Sequence, residues 1–263
     1  MKNRVPLFVC LTLMTTWLSA CAWMYPTAVP VHVQAFPAVP GARAATLLVL
    51  LPGRGNRLEE WEQHGFVAEV RAQAPGVDMI AVDAHLGYYL KESIVDRVWT
   101  DVIAPARAQG YRRILIAGIS MGGLGAVAIA RQHAPDIDGL ILLAPYLGPK
   151  TLIKTITDQG GPQRWTPADP GDAYQRLWIW LRQYGQPGEK LPRLVLAFGD
   201  GDRLHPAHQL LATLLPPDQV MAIPGGHDWT TWRQLWHRYW SARPRPELSP
   251  IIARPRALPD HDV

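Results

Sequence analysis

The chain has 263 residues, 48% of them hydrophobic and 18% charged, enough apolar material for one packed domain and too much for a disordered chain. Its formal net charge of +4 falls to +2 once Lys2 and Arg4 are set aside with the N-terminal segment, too little to single out nucleic acid as a partner. The two cysteines are Cys10 and Cys21, both near the start, so no disulfide, thiolate metal site or cysteine nucleophile is expected in the domain itself.

In chain order, Met-Lys-Asn-Arg is followed by an apolar run from Val5 to Leu18 and then by Leu18-Ser19-Ala20-Cys21. A short positive region, a hydrophobic stretch and small residues at a cut site make an export signal. The run is shorter than the ~20 residues a membrane-spanning helix needs. Leu-Ser-Ala-Cys resembles the bacterial lipobox. That resemblance implies removal of residues 1–20, lipid on Cys21, and a membrane partner through that anchor. Ala22 in place of aspartate implies the outer membrane of a diderm bacterium, facing the periplasm. Residues 21–30 then read as a tether. Val31–Phe36 alternates and can form an edge strand, where the neighbouring prolines are tolerated.

A domain over 31–240 follows, in which strand and helix patterns alternate. Short Val-, Ile- and Leu-rich runs at Thr46–Leu51, Val77–Val82, Arg113–Ala117, Leu140–Ala144, Leu194–Phe198 and Gln219–Ile223 read as strands buried on both faces. Helical patterns lie between them, at about Leu58–Ala74, Leu90–Gln109, Met121–His133, Asp172–Tyr184, Pro206–Leu215 and Thr230–Trp240. The alternation predicts an α/β fold with a mostly parallel central sheet and helices on both faces. Residues 148–192 are too long for a simple strand-to-helix loop and read as a small cap insertion over the sheet's C-terminal edge. Residues 241–263, with Arg243-Pro244-Arg245-Pro246, read as a flexible tail.

The chemistry centres on Gly118-Ile119-Ser120-Met121-Gly122-Gly123, between a predicted strand and a predicted helix. In a G-x-S-x-G turn the serine is held in a strained backbone conformation, and side chains at the flanking positions would collide. The turn lifts the hydroxyl off the sheet edge and sets it at a helix N-terminus, where negative charge is favoured. Downstream stand Gly199-Asp200-Gly201-Asp202 after one strand and Gly225-Gly226-His227-Asp228-Trp229 after the last.

The order serine, acid, histidine resembles that of the α/β-hydrolases. The elbow and the Gly-Gly-His-Asp-Trp-x-x-Trp-Arg segment are most similar to the branch that holds esterase D and the feruloyl esterases. The resemblance spans about Leu47 to Trp240. It implies a catalytic set of Ser120 as nucleophile, His227 as base and Asp202 as the acid, with Asp200 the alternative; the other aspartate would be a turn residue bonding nearby amides. It also implies an oxyanion hole made by the amide of Met121 and an amide from Pro52-Gly53-Arg54-Gly55-Asn56, here that of Arg54. The family's usual His-Gly is replaced there by Pro52-Gly53, which removes a histidine brace but no amide. The Arg54 guanidinium is either a solvated loop charge or a lure for an anionic substrate.

Among the other histidines, His85 follows a strand and either lines a pocket or serves the fold. His133 closes the elbow helix, where a cation suits the dipole. His205 and His208 lie three apart without an apparent third metal ligand and read as surface residues. Trp165, Trp178, Trp180, Trp229 and Trp232 fit the walls of an aryl or acyl site and fit core packing equally well. The expected function is therefore a serine hydrolase of small-molecule carboxylic esters in the bacterial envelope, with no metal and no organic cofactor implied. The alternatives are thioesterase, amidase or acyltransferase chemistry on the same triad, or a non-catalytic lipoprotein that uses the fold to bind.

Overall fold

The computed structural model describes residues 25–242, apart from 40, 42, 43, 187 and 189. The signal segment, Cys21 and the tail beyond 242 lie outside the described residues, as do residues 22–24 of the expected tether.

Seven strands make one sheet: β1 (Val33–Phe36), β2 (Thr46–Leu51), β3 (Val77–Val82), β4 (Arg113–Ile119), β5 (Gly139–Leu143), β6 (Arg193–Gly199) and β7 (Val220–Ile223). Their order is β1-β3-β2-β4-β5-β6-β7, with β1 antiparallel to β3 and every other pair parallel. Central strands of this kind must be apolar on both faces. In β2 all six residues are buried. Leu47, Val49 and Leu51 join Ile114, Ile116, Leu140 and Leu142 on one face, whereas Leu48 and Leu50 join Leu115, Ala117, Ile141 and Leu143 on the other.

The helices are α1 (Glu60–Gln63), α2 (Phe66–Gln73), α3 (Leu86–Leu90), α4 (Ile94–Val98), α5 (Ala104–Ala108), α6 (Met121–His133), α7 (Lys150–Asp158), α8 (Ala173–Leu181), α9 (His205–Ala212) and α10 (Trp229–Ser241). Apolar residues of α4, α6, α8 and α9 cover the first face, and those of α2 and α10 the second. Trp178 is fully buried and donates its Nε1–H to the Leu147 carbonyl at 2.8 Å; Trp236, likewise buried, donates to Phe66 O at 3.0 Å. Both indole N–H groups thus keep a partner in the dry interior.

Two predicted helices differ in detail. The one expected over Leu58–Ala74 breaks at Gly65, whose φ of +78° ends α1 in a left-handed turn before α2 begins. The one expected over Leu90–Gln109 is interrupted at Glu92 (φ +53°) and restarts at Ile94. Between α4 and α5 it passes through a π-helical turn, Trp99–Ile103. Pro105 explains the turn, since it has no N–H to give to the preceding carbonyls and its ring would strike one of them. The segment 148–192 supplies α7 and α8. Its Ile153, Ile156, Trp165, Leu177, Trp178 and Leu181 join the first-face core beside α6, and its Tyr174 stands edge-on to Tyr146, which follows β5, at 5.9 Å.

The described part of the tether is packed on the domain. Ala28 N–H donates to the Tyr88 hydroxyl at 3.0 Å, that hydroxyl donates to Ala28 O at 3.1 Å, and Lys91 reaches Thr27. Thr27 and Ala28 therefore lie against α3.

Candidate active site

The C-terminal ends of parallel strands gather the loops that carry function in sheets of this kind. Ser120 sits where β4 turns into α6, with φ +51° and ψ −112°. Such a conformation costs about 1–3 kcal/mol in a non-glycine residue and persists only where neighbours impose it. Here they do. Ser120 N–H donates to Leu143 O at 2.9 Å, and Ser120 O accepts from Gly123 N–H at 3.0 Å and from Tyr146 N–H at 2.8 Å. The glycines make room: a methyl on Gly118 would strike the Gly122 carbonyl, and one on Gly122 would strike Leu51 O.

His227 follows β7 on a loop that is stapled to its surroundings. Thr231 Oγ1 accepts from Gly226 N–H at 3.0 Å, and Asp228 caps α10 by accepting from Thr231 N–H at 2.9 Å. Asp200 accepts from Gly225 N–H at 3.3 Å, and the Gly201 amide donates to Gly225 O at 2.9 Å, so the loops after β6 and β7 are clasped together. This brings three predicted residues into line. His227 Nε2 lies 2.9 Å from Ser120 Oγ, and His227 Nδ1 lies 2.7 Å from Asp202 Oδ2. With Nδ1–H donating to the carboxylate, Nε2 is left to accept the serine proton. Trp232 stands edge-on to the imidazole at 5.1 Å. Asp200 is the turn residue of the pair.

Asp202 is buried, and its second oxygen accepts from Leu204 N–H at 2.7 Å. Burial alone would raise its pKa, but the hydrogen bonds from His227 and Leu204 outweigh it and hold the carboxyl below its ordinary value. It therefore stays ionised at neutral pH.

Two amides border the serine. Met121 is the first residue of α6, where an amide has no intrahelical carbonyl to reach. Arg54 occupies a central position of the turn closed by Asn56 N–H on Gly53 O at 3.1 Å, with Gly55 at φ +83° as a left-handed turn position requires. A Cβ on Gly53 would stand 3.5 Å from the Ser120 Cβ, so this loop runs directly beside the serine.

A cleft of about 430 Å³ opens at Ser120. Its walls are Leu86, Leu90, Met121, Leu124 and Leu204, the tyrosines Tyr89, Tyr146 and Tyr174, and the two arginines Arg54 and Arg203. Burial and the neighbouring Tyr174 push the Tyr146 phenol up to about 12, so it remains a hydrogen-bond donor at any ordinary pH. Burial likewise raises the Tyr89 phenol. The aromatic wall is thus tyrosine and not tryptophan. Trp165, Trp178 and Trp180 are core residues, and Trp229 stacks on His64 at 3.9 Å away from the cleft.

Of the other histidines, one of two open readings is met by His85, and the expectations for His133 and His208 change. His85 caps α3, its Nδ1 accepting from Gly87 N–H at 3.1 Å, and does not line the cleft. His133 stacks on Trp99 at 3.8 Å, and burial holds its pKa below the ordinary value, so it is not a standing cation at the helix end. His208 is fully buried, not a surface residue. Its Nε2–H donates to Pro145 O at 3.0 Å, and burial depresses its pKa to about 4, leaving a neutral ring behind the carboxylate of Asp202. Among the described residues no group of three His, Cys, Asp or Glu side chains could hold a metal ion.

A family model described as serine aminopeptidase S33 (Hydrolase_4) matches residues 94–169, under a third of the chain. Comparison with curated protein sequences gave no match. Solved structures do resemble it. FphF, a fluorophosphonate-binding serine hydrolase of Staphylococcus aureus, superposes with a TM-score of 0.56 at 14% identity, over 80% of this chain and 91% of that one. Est1E from Butyrivibrio proteoclasticus gives 0.53 at 19% identity, over 80% and 92%. A ferulic acid esterase gives 0.52 at 16% identity, over 78% and 88%. With the strand order above, these likenesses establish the α/β-hydrolase fold.

Proposed function

We propose that this chain is a serine hydrolase that cleaves carboxylic esters through an acyl-enzyme, with Ser120, His227 and Asp202 as its triad. The observation that carries the reading is the continuous hydrogen-bonded line from Ser120 Oγ through the imidazole to a buried, ionised carboxylate, set on a strained turn.

The geometry supports each step. A serine hydroxyl is a weak nucleophile at its own pKa, and His227 Nε2 is within reach of its proton as Oγ attacks the carbonyl carbon. Asp202 holds the productive tautomer and stabilises the imidazolium that forms. The carbonyl oxygen becomes an anion beside the Met121 and Arg54 amides, and each such donor is worth on the order of 10²–10³ in rate. The imidazolium then returns its proton to the leaving oxygen, and water repeats the cycle on the acyl-enzyme. A panel of aryl esters, thioesters and aminoacyl anilides tests the reaction class. Ester turnover is expected to exceed anilide turnover by several orders of magnitude. Anilide hydrolysis at a comparable rate would assign the site to amide bonds.

Anchoring belongs to the same proposal. Among the described residues no helix is long and apolar enough to cross a membrane. If lipid is attached to Cys21, residues 22–24 span at most about 14 Å between it and Tyr25. Thr27 and Ala28 bond to Lys91 and Tyr88 at α3, whose Leu86 and Leu90 form part of the cleft, so the anchor would hold the cleft mouth close to the bilayer. Wild-type protein is expected in the membrane fraction and resistant to a salt wash, since the hold is apolar. Cys21→Ser protein is expected to be uncut or soluble. Equally firm membrane binding by cleaved Cys21→Ser protein would refute the anchor.

A further inference from the structure

We infer that the substrate carries an anionic oxygen group, a carboxylate or a phosphate, held by Arg54 and Arg203 across the mouth of the cleft. The inference rests on the proposed hydrolase reading and narrows its substrate class.

The two arginines arrive from opposite sides of Ser120. Arg54 lies on the loop after β2, which neighbours β4 on one side. Arg203 directly follows Asp202 on the loop after β6, two strands from β4 on the other side. At the usual strand spacing those loops start about 14 Å apart, a gap that two long side chains can narrow to the width of a small anion. Both side chains are exposed and both line the cleft.

No described carboxylate neutralises them. Three other arginines are spent on the fold: Arg97 on Asp101, Arg107 on Asp138 and Arg193 on Asp218. Among the described residues Arg54 and Arg203 have no carboxylate partner, and no acidic side chain lines the cleft. Its other polar walls are phenols and the Ser120 hydroxyl, which carry no negative charge to offset a guanidinium. Charge also continues next door. A second hollow of about 380 Å³ shares Arg203 and Leu204 with the cleft, has Leu147, Ile153 and Ala207 as apolar lining, and carries Lys150 at its edge. Apolar walls beneath a cationic rim suit a short carbon chain ending in an anion. The planar guanidinium fork matches the paired oxygens of carboxylate or phosphate.

The test uses matched esters with the full-length protein. One series varies the acyl side: nitrophenyl hemisuccinate and hemiglutarate against their neutral methyl esters. The other varies the alcohol side: 4-carboxyphenyl and 4-phosphonophenyl acetate against phenyl acetate. Each rate is divided by the ester's own rate of alkaline hydrolysis. In at least one series the anionic ester is expected to be favoured by about ten-fold or more in kcat/KM, and the preference should shrink as salt screens exposed charge. In Arg54→Gln,Arg203→Gln protein that ratio should fall towards one. A parallel arm needs no chemistry: calorimetry with Ser120→Ala protein should show tighter binding of the anionic member of the preferred pair. Turnover of neutral esters with no anion preference in either series would overturn this inference and leave the hydrolase reading intact. Anion binding by Ser120→Ala protein without turnover of any ester by wild type would sustain the site and overturn the hydrolase. A preference that survives loss of both arginines would move recognition elsewhere.

Discussion

Ser120→Ala protein is expected to lose ester hydrolysis by on the order of 10⁵–10⁶ in kcat while remaining folded. The size follows from the loss of a nucleophile that works as a unit with its base, where removal of one member costs nearly as much as removal of all. The fold should survive because the hydroxyl supports no backbone geometry. The elbow is held by the Ser120 main-chain bonds to Leu143, Gly123 and Tyr146, which alanine retains. A residual rate above that of water is expected, since the Met121 and Arg54 amides and the cleft remain to bind the carbonyl. Steady-state turnover of a nitrophenyl ester, with circular dichroism to verify folding, is the check. A folded mutant within ten-fold of wild type would exclude Ser120 as the nucleophile.

The second large effect separates two aspartates only two residues apart. Asp202→Asn should cost about 10⁴ in kcat at neutral pH, because an amide N–H facing His227 Nδ1 forces the other tautomer and leaves Nε2 unable to accept the serine proton. Asp200→Asn should cost less than about ten-fold: the amide oxygen can still accept from Gly225 N–H, so the clasp between the two loops is kept. Parallel kinetics on the two purified variants decide it. The reverse ranking would make Asp200 the working acid and the bond from His227 to Asp202 a structural one.

How much of this was legible beforehand depends on what kind of signal each residue leaves. The central strands were, because a strand buried on both faces must be a short apolar run, and Thr46–Leu51 and Val77–Val82 appear with the predicted bounds. The elbow was legible because its glycines answer a local steric demand, which needs no knowledge of the rest of the chain. The choice between Asp200 and Asp202 rested on an offset borrowed by resemblance, and only the three-dimensional line to His227 distinguishes them. The burial of His208 was not legible: its partner is the Pro145 carbonyl, 63 positions away, and nothing in the local sequence announces it. The tyrosine walls were missed for a related reason. Tyr146 stands in loop sequence, where aromatic residues carry no period, although it follows β5 at the edge where such sheets place their sites, and the helical pattern around Tyr174 does not tell which cleft its first turn borders. Tryptophans drew attention as candidate walls, but most are core residues, as their large apolar surface favours.

The central claim, that Ser120 is a nucleophile activated by His227, is tested most directly by covalent trapping. Purified protein is treated with a fluorophosphonate probe and digested, and the modified peptide is sequenced by mass spectrometry. One probe per chain is expected on Ser120, with no label in Ser120→Ala protein and labelling slowed by several orders of magnitude in His227→Ala protein. Absence of label on folded wild-type protein, or label on another residue that persists in Ser120→Ala, would contradict the account.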